Sequence, residues 1–593
     1  MDELIVGSKY SDGTNTFCTS AMRSFFVYLT SFLAAAQVIL GFPSSKNMTY
    51  VNPGIPGWHS DPSCVFVPEL DDTFFCVTST FLLTPGLPIH ASKDLVNWKL
   101  ASHALSRPSQ YPGYSNVTRQ SDGIYAATLR YRDGIFYLIT FFVSTPANSA
   151  YPGLLFKSKN PYDNSAWSDP ILFPAKNIDP DLFWDDDGQA YVALAGVTLS
   201  TFDVQTGALG TAKSIWNGTG GVYPEGPHIY KKDSWYYLLI AEGGTETNHS
   251  VTMARSKNVT GPYIGYEHNP ILTNRGTDEY FQTVGHADLF QDANGNWWTC
   301  ALSTRSGPEF KNYPMGRETV ITAAKWEKGE FPVITPVQGV ESVWRLPTSK
   351  NLPGNGPFIG EPDVINFQPG SSLPSHLSFW RWPDVNAYTI SPKGHPNALR
   401  LKPSKDISSG STPITLIMRL QTDTLFDFSV DVDFSPKVAQ EEAGVTLFLD
   451  QVQHLDLGIV LLPQSSSNSS KLIPQLRFRT TGTGTLEGPP PAVVTEPIPH
   501  SWLGRPITLE IQAKNDTHYQ FSAGNGHDKK LLGVAPATIV SGGQGPFTGA
   551  LVGAYATANN GSGTTESYIS KWRYTGVAQK IDTDKYVPSW GKY

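Results

Sequence analysis

Residues 179–194 read DPDLFWDDDGQAYVAL: an acidic residue, a short apolar strand, a polar turn, and a second strand that carries an aromatic residue. The turn and second strand recur at 72–77, 133–138, 187–192, 233–238 and 294–299. The aromatic markers of these repeats follow one another at steps of 62, 54, 46 and 61 residues: Phe75, Tyr137, Tyr191, Tyr237 and Trp298. Each repeat therefore has room for about four short strands.

A second set of residues occupies one equivalent position in every repeat. Asp61, Tyr125, Asp179, Glu225 and His286 precede their markers by 14, 12, 12, 12 and 12 residues. Five repeats of four strands predict a five-bladed β-propeller, in which the first strand of each blade lines the central channel. We therefore expect these five side chains to converge at one mouth of the channel. Five unrelated hairpins would explain Asp-Pro turns, but not acids at three of five equivalent positions.

The chain changes character after about residue 345. Residues 346–364, LPTSKNLPGNGPFIGEPDV, are rich in proline and glycine and are interpreted as a linker. Residues 365–577 show alternating apolar positions without helical periodicity, which predicts a β-sandwich. Its expected strands lie at 398–401, 414–420, 426–434, 444–449, 458–462, 472–479, 507–513, 549–555 and 568–574. The expected fold class is all-β, with a propeller over 45–345 followed by this sandwich.

The N-terminus has the features of a secretion signal. An apolar stretch at 25–36 ends in three alanines that offer a cleavage site. We interpret residues 22–36 as a signal peptide and residues 1–21 as an extension of the gene prediction, because Met22 stands directly before the stretch. An internal core segment is the alternative. Eight N-x-S/T sequons agree with a secreted glycoprotein, and nothing later resembles a membrane helix: Asn47, Asn116, Asn217, Asn248, Asn258, Asn468, Asn515 and Asn560.

The charge distribution argues against a nucleic-acid partner. The formal net charge is −8, and no run of Lys or Arg stands out. Binding to nucleic acid needs a basic stripe that neutralises phosphates. An uncharged polymer is therefore the better partner.

Three cysteines remain after signal removal: Cys64, Cys76 and Cys300. Cys64 and Cys76 flank a turn at 69–72, so a symmetric hairpin would place them opposite each other. A cross-strand disulfide and two buried free thiols fit this spacing equally well. Three scattered cysteines do not make a metal site.

Three of the five axis residues are carboxylic acids: Asp61, Asp179 and Glu225. Like charges at one channel mouth raise one another's pKa, a cost that acid–base catalysis puts to use. Glycoside hydrolysis needs an acid for the leaving oxygen and a base or nucleophile at the sugar carbon. A proline beside each acid stiffens the strand end and fixes the carboxylate direction. Each acid alone is typical of a turn, but the three together predict an active site.

Ordered motifs extend this pattern through the chain. They include His59-Ser60-Asp61-Pro62-Ser63, Glu225-Gly226-Pro227-His228, Ala241-Glu242-Gly243-Gly244-Thr245, Val284-Gly285-His286 and Gly316-Arg317-Glu318-Thr319. From about residue 50 onward the sequence resembles glycoside hydrolase family 43. Its second half resembles the concanavalin A-like β-sandwich of the family's β-xylosidases.

The resemblance implies an inverting, exo-acting glycosidase that releases terminal pentoses from arabinoxylan or xylo-oligosaccharides. It implies Asp61 as general base, Glu225 as general acid, and Asp179 as a third acid that tunes the pKa of the general acid. Many β-xylosidases of the family carry Trp-Ala-Pro-Asp where this chain has Tyr-Ala-Ala-Thr at 125–128. This departure leaves α-L-arabinofuranosidase beside β-D-xylosidase as the expected activity.

The resemblance also implies a sugar-binding shell around the acids. His286 and Arg317 match positions that contact the terminal sugar, and Phe81 and Tyr125 match apolar walls of its pocket. A sandwich loop at 542–549, which carries Phe547, is expected to lean on the site. No cofactor is implied, and no metal is predicted, although a cation lies near the equivalent histidine in some relatives.

Other functions remain as alternatives. A secreted, catalytically inactive carbohydrate-binding propeller would need no three converging acids, and all three positions are filled here. WD-type repeats of protein-binding propellers are absent from the sequence, as is the Asn-Asp-Pro-Asn start of retaining fructan-type enzymes.

Overall fold

A computed structural model describes residues 48–147, 150, 152–346, 348–408, 410–464 and 471–589. The signal peptide, the 1–21 extension and the sequons at Asn47 and Asn468 lie outside the described residues. Within the described ranges the elements are β-strands and short 3-10 helices, and no helix is long and apolar enough to cross a membrane. The 3-10 helices span Pro68–Leu70, Pro108–Gln110, Pro112–Asn116, Asn164–Ala166, Val385–Ala387, His500–Trp502 and Ala537–Val540.

The first half of the chain forms five four-stranded antiparallel sheets, one after another. The strands up to the end of the first sheet are β1 (Met48–Val51), β2 (Ser63–Val67), β3 (Thr73–Val77), β4 (Leu83–Thr84), β5 (Gly86–Ser92) and β6 (Lys99–Leu105). Of these, β2, β3, β5 and β6 make up the first sheet. The second sheet contains β7 (Gly123–Arg132), β8 (Ile135–Val143), β9 (Gly153–Ser158) and β10 (Ile171–Phe173).

The other three sheets repeat the same order. The third contains β11 (Asp181–Trp184), β12 (Ala190–Leu194), β13 (Thr198–Phe202) and β14 (Lys213–Ser214). The fourth contains β15 (Glu225–Lys232), β16 (Trp235–Glu242), β17 (Ser250–Ser256) and β18 (Ile264–Gly265). The fifth contains β19 (Phe281–Gln291), β20 (Trp297–Arg305), β21 (Glu318–Lys325) and β22 (Val333–Ile334), and β23 (Val340–Val343) follows it.

The five sheets close into a ring. Their first strands contact one another in cyclic order, β2 to β7, β11, β15 and β19, and β19 contacts β2 again. The N-terminal β1 pairs with β23, which ties the two ends of this half together. All five aromatic markers lie on second strands, and all five predicted axis residues lie in the first strands or within two residues of them.

A buried ion-pair cluster joins all five first strands. Arg130 of β7 contacts Asp181 of β11 at 2.5 Å and Asp288 of β19 at 2.9 Å, and both carboxylates are fully buried. Ser63 of β2 and Tyr230 of β15 donate hydrogen bonds to Asp288 at 2.7 and 2.6 Å. Burial would raise the pKa of Asp288, but the Arg130 guanidinium and these donors lower it to about 2. One cation therefore compensates two buried carboxylates at the centre of the ring.

Removal of this cation should destabilise the ring. Arg130→Met would leave two buried carboxylates without their compensating cation, which typically costs about 3–5 kcal/mol of the free energy of unfolding. Denaturant unfolding followed by tryptophan fluorescence measures the loss. Arg132→Met on the same strand removes a surface pair with Asp133 and an exposed cation–π contact with Trp184, and should change stability by less than about 1 kcal/mol. Equal losses in the two variants would contradict a structural role for the cluster.

The Cys64–Cys76 disulfide is formed. The two residues are direct partners in the β2–β3 register, as a hairpin symmetric about position 70 requires. Cys300 is a buried free thiol. Of the two alternatives that the spacing allowed, the structure contains the disulfide.

The second half of the chain forms two packed sheets. The first strands after the ring are β24 (Asp363–Ile365), β25 (Phe379–Trp380), β26 (Tyr388–Ile390), β27 (Leu399–Leu401), β28 (Leu416–Leu420), β29 (Leu425–Asp433), β30 (Glu442–Asp450) and β31 (Gln453–Pro463). The last strands are β32 (Leu472–Thr481), β33 (Val494–Pro497), β34 (Ile507–Ala513), β35 (His518–Gly524), β36 (Lys529–Pro536), β37 (Leu551–Thr557), β38 (Ser567–Asp582) and β39 (Lys585–Pro588).

One sheet of this sandwich has nine strands and the other six. The larger runs β26-β27-β38-β29-β34-β35-β36, with β24 and β39 also paired to β38, and the smaller runs β28-β37-β30-β31-β32-β33. Alternate residues of the two sheets, such as Phe428, Val430, Leu447 and Leu457, are fully buried between them. All nine expected strands are present. Of the fifteen strands in the two sheets, the prediction missed β24, β26, β33, β35, β36 and β39. The strands β24 and β26 have only three residues each, and β33, β36 and β39 are exposed over much of their length, so their apolar residues alternate too weakly to stand out from loops.

The two halves of the chain share a core. Trp58 and Phe81 from the first half pack with Trp380, Phe448 and Leu551 from the second. The short strands β4 and β25 also pair with each other.

The segment interpreted as a linker packs against β6 of the first sheet. Phe358 forms a β-bridge with Lys99 of β6, and the Lys99 ammonium donates to the carbonyls of Leu352 and Gly354. At the other end, β38 and β39 extend the sandwich to Pro588, beyond the expected residue 577. This pairing was not predicted from the sequence, because the turn between the two strands is charged.

Candidate active site

A cavity of about 510 Å³ opens at the ring centre. The structure places every predicted site residue on its wall: Asp61, Phe81, Tyr125, Asp179, Glu225, His286, Arg317 and Phe547. The first strands of the sheets bring the acids and His286 there. Arg317 comes from the residue before β21, and Phe547 from the loop before β37.

Asp61 is held as a carboxylate. Its Oδ2 accepts hydrogen bonds from Ser60 Oγ and Ser79 Oγ, each at 2.8 Å, and its Oδ1 lies 3.6 Å from both His286 Nδ1 and Arg317 Nη1. Burial would raise the pKa of Asp61, but His286, Arg317 and the two hydroxyl donors outweigh it and lower the pKa. Burial also lowers the pKa of His286 to about 4, so Arg317 supplies the permanent positive charge. Asp61 is therefore ionised at neutral pH.

The pKa values of Asp179 and Glu225 are raised, opposite to that of Asp61. Burial, aided by the negative charge of Asp61 and opposed by Arg317, raises the pKa of Glu225 to about 7. Burial, Glu225 and Asp61 together raise the pKa of Asp179 well above its usual range. Asp179 Oδ2 accepts a hydrogen bond at 3.1 Å from the backbone N–H of Gly226, the residue after Glu225. This pair therefore holds a proton close to neutral pH, directly beside an ionised carboxylate.

The backbone is strained where the site residues attach. Asp61, Asp179 and His286 have φ angles of 53°, 57° and 47°, in the left-handed region that few residues other than glycine adopt. Such strain persists only where the surrounding structure enforces it, and it is concentrated at functional sites. It directs the three side chains into the cavity.

One side of the cavity is aromatic. The Phe81 ring centroid lies 4.7 Å from that of Tyr125 and 6.0 Å from that of Phe547. The Arg317 guanidinium sits 4.6 Å from the Phe547 ring centre, which holds the guanidinium by a cation–π contact. The sandwich loop thus contributes to the cavity wall, as expected. A sugar ring in the cavity would meet both an apolar face and hydrogen-bonding groups.

Several cavity residues were not singled out from the sequence. They are Ala126, Ile178, Val222, Tyr223, Gly243, Gly244, Thr245 and Glu246. Val222 and Tyr223 directly precede the Pro224-Glu225 pair, and Gly243-Gly244-Thr245 forms part of a motif that carried the resemblance, so both signals lay in the sequence. Within the described ranges, no group of three or more His, Cys, Asp or Glu side chains is arranged to hold a metal ion.

Comparison with known proteins assigns both halves of the chain. The model of glycosyl hydrolases family 43 matches residues 50–332. The model of the beta-xylosidase C-terminal concanavalin A-like domain matches residues 365–575. The chain belongs to glycoside hydrolase family 43. It is a glycosidase of that family, with an all-β fold that ends in a concanavalin A-like domain.

The relatives of this family 43 enzyme are named for two activities, arabinofuranosidase and xylosidase. It is 33% identical to a non-reducing end alpha-L-arabinofuranosidase from Bacteroides ovatus, over 88% of this chain and 94% of that protein. It is 31% identical to a xylosidase/arabinosidase from Humicola insolens, over 87% of this chain and 96% of that protein. The solved xylan beta-1,4-xylosidase from Bacillus halodurans is 28% identical with a TM-score of 0.75, and the match covers 88% of this chain and 99% of that one.

Proposed function

We propose that this enzyme is an inverting exo-glycosidase that releases terminal arabinofuranose or xylose from arabinoxylan or xylo-oligosaccharides. Asp61 acts as general base and Glu225 as general acid. Asp179 keeps Glu225 protonated and oriented. His286 and Arg317 bind the terminal sugar, and Phe81, Tyr125 and Phe547 enclose it.

In this mechanism one displacement breaks the glycosidic bond. Asp61 takes a proton from a water molecule, whose oxygen attacks the anomeric carbon of the terminal sugar. Glu225 donates its proton to the glycosidic oxygen as the bond to that oxygen breaks. The sugar leaves with inverted anomeric configuration, and the rest of the chain leaves as an alcohol.

A single observation carries this proposal: two acids in one cavity have pKa values shifted in opposite directions. The pKa of Asp61 is lowered and that of Glu225 is raised to about 7. A site that performs acid–base chemistry needs one group ionised and the other protonated at the same pH. The arrangement therefore supports a base and an acid that are ready together.

The architecture that supports this role is a five-bladed β-propeller. We assign one blade to each of the five sheets in the ring, within residues 45–345, and a sandwich domain to 365–577 with its edge strands extending to Pro588. We also propose secretion, with plant cell-wall xylan as the polymer that the enzyme meets. The relatives named for arabinofuranosidase and xylosidase activity support this substrate class.

Sugar release by the purified protein tests the proposal. The substrates are an aryl β-D-xylopyranoside, an aryl α-L-arabinofuranoside and polymeric arabinoxylan, and Glu225→Gln is the control. Release of xylose or arabinose by the wild type, which the variant lacks on arabinoxylan, would support the proposal and name the sugar. Binding to xylan without release from any of the three would instead indicate a carbohydrate-binding protein.

The pH dependence of kcat/KM should be bell-shaped. As pH falls through the lowered pKa of Asp61, below the usual aspartate value of 3.8, the base is protonated and activity falls. As pH rises through about 7, Glu225 loses the proton that it must donate, and activity falls again. Initial rates between pH 3 and 9 on an unactivated oligosaccharide measure both limbs. Full activity at pH 9 would contradict Glu225 as the acid.

A further inference from the structure

An exposed apolar pair stands at the cavity mouth, next to the proposed acid. Val222 and Tyr223 line the cavity, yet Val222 is 59% exposed and Tyr223 72% exposed. We propose that this pair forms the binding subsite for the leaving-group sugar, the residue of the chain to which the terminal pentose is attached. This inference rests on the proposed function and extends it to a second sugar.

The position of the pair follows from the order of the chain. Tyr223 lies two residues before Glu225, and only Pro224 separates them. A general acid must reach the glycosidic oxygen, so the leaving sugar lies on the side of the cavity that holds the acid. The aromatic wall of Phe81 and Phe547 comes instead from the connection between β3 and β4 and from the sandwich loop before β37. The two sugars of a scissile linkage therefore meet separate apolar surfaces.

The backbone of this pair is fixed although its side chains are exposed. The Val222 carbonyl accepts a hydrogen bond from Gly243 N at 2.9 Å, and the Pro224 carbonyl accepts one from Gly196 N at 2.8 Å. Tyr223 between them has a φ of 50°, a conformation that costs free energy for a residue with a Cβ. Internal packing does not repay that cost, because most of the ring faces solvent. A rigid, strained and exposed aromatic residue is the form that a ligand platform takes.

The chemistry of the rim selects an uncharged sugar. Because Tyr223 is 72% exposed, its ring is open to stack on the C–H face of a sugar. The exposed carboxylate of Glu246 shares this rim, and three more acids lie deeper in the cavity. Acidic surroundings disfavour a uronic acid beside the bond to be cut. The ligand class is thus a neutral pentose unit, such as a xylose of the main chain.

Comparison of two substrates in Tyr223→Ala tests the subsite. The first is a neutral arabinoxylo- or xylo-oligosaccharide, whose leaving group is a sugar. The second is the glycosyl fluoride of the sugar that the wild type releases, whose leaving group is too small to touch Tyr223. We expect kcat/KM to fall about tenfold on the oligosaccharide and less than about twofold on the fluoride. Tyr223→Phe, which keeps the ring, should retain most of the activity on both.

Ile264→Ala is the matched control, because Ile264 is also exposed, at 71%, and lies outside the cavity. It should leave both substrates unchanged. An equal fall on both substrates in Tyr223→Ala would mean that the residue shapes the pocket of the terminal sugar. A fall on the oligosaccharide alone that comes with a displaced alkaline limb near pH 7 would mean that the residue positions Glu225. No fall on either substrate would mean that it touches no sugar. Each of these three results overturns the subsite while the proposed function stands. If the wild type cleaves neither substrate, the proposed function fails and the subsite with it.

Discussion

Replacement of Glu225 by glutamine should reduce kcat on xylo-oligosaccharides by about 10³–10⁴-fold, because a positioned general acid contributes a factor of this order. The amide keeps the shape of the side chain but has no proton of suitable acidity for the glycosidic oxygen. The effect should depend on the leaving group. An activated aryl glycoside, whose phenolate needs little protonation, should lose about tenfold or less. The alkaline limb near pH 7 should also disappear with the aryl substrate, since that limb reports the Glu225 proton.

Steady-state kinetics on a series of aryl glycosides with leaving groups of increasing pKa measure this dependence. Glu267→Gln, an exposed substitution outside the cavity, provides the matched control and should match the wild type. A loss in Glu225→Gln that is the same for every leaving group would contradict its role as the acid. Such a result would instead point to a binding or folding role for the side chain.

Replacement of Asp61 by asparagine should cost about as much, but in a different pattern. Asparagine can still accept hydrogen bonds from Ser60 and Ser79, so the geometry is retained while the base is lost. Activation of the attacking water is needed whatever group leaves. We therefore expect a fall of about 10³–10⁴-fold in kcat on oligosaccharides and activated aryl glycosides alike.

The same aryl series measures this second effect. Thermal unfolding of Asp61→Asn should show a modest loss of stability at neutral pH, because the lowered pKa of Asp61 means that its ionised form stabilises the fold and asparagine leaves the Arg317 guanidinium without that charge. A variant that retains most of its activity on activated substrates would show that Asp61 is not the base. Leaving-group dependence in Asp61→Asn but not in Glu225→Gln would exchange the two assignments.

The residues at the ring centre were accessible from the sequence because a strand repeat fixes them. Asp61, Asp179 and Glu225 sit at nearly constant offsets from their aromatic markers, and equal offsets in repeated hairpins mean equivalent places. Phe547 could not be predicted in this way, because the sandwich does not contain the repeat. Only the resemblance to a known family pointed to it.

The ion-pair cluster beneath the site was missed for a structural reason. Ser63, Asp181 and Asp288 each follow an axis residue by two positions, which a repeat can reveal. His228, whose Nδ1 lies 3.3 Å from Asp181 Oδ1 in the same cluster, follows Glu225 by three, because a β-bulge between them adds a residue to β15. A second bulge, between Ile124 and Ala127 of β7, shifts Arg130 in the same way. Bulges of this kind change the side-chain register without a signal in composition.

Tyr223 was not predicted as a site residue from the sequence for a different reason. It belongs to no strand, and an exposed aromatic residue in a Gly-rich turn is typical of a loop. Its importance depends on the fold, which places the turn at the mouth of the cavity beside Glu225. The sequence places Tyr223 near Glu225, but only the three-dimensional structure shows that its side chain stands exposed at the cavity mouth.

The anomeric configuration of the first sugar released tests the central claim most directly. Proton NMR during the first minutes of hydrolysis, before mutarotation, distinguishes the two anomers of the pentose. A single displacement by water activated by Asp61, with protonation by Glu225, predicts that the first product has the anomeric configuration opposite to that of the substrate. A first product that retains the substrate's configuration would require a covalent intermediate and would contradict this mechanism.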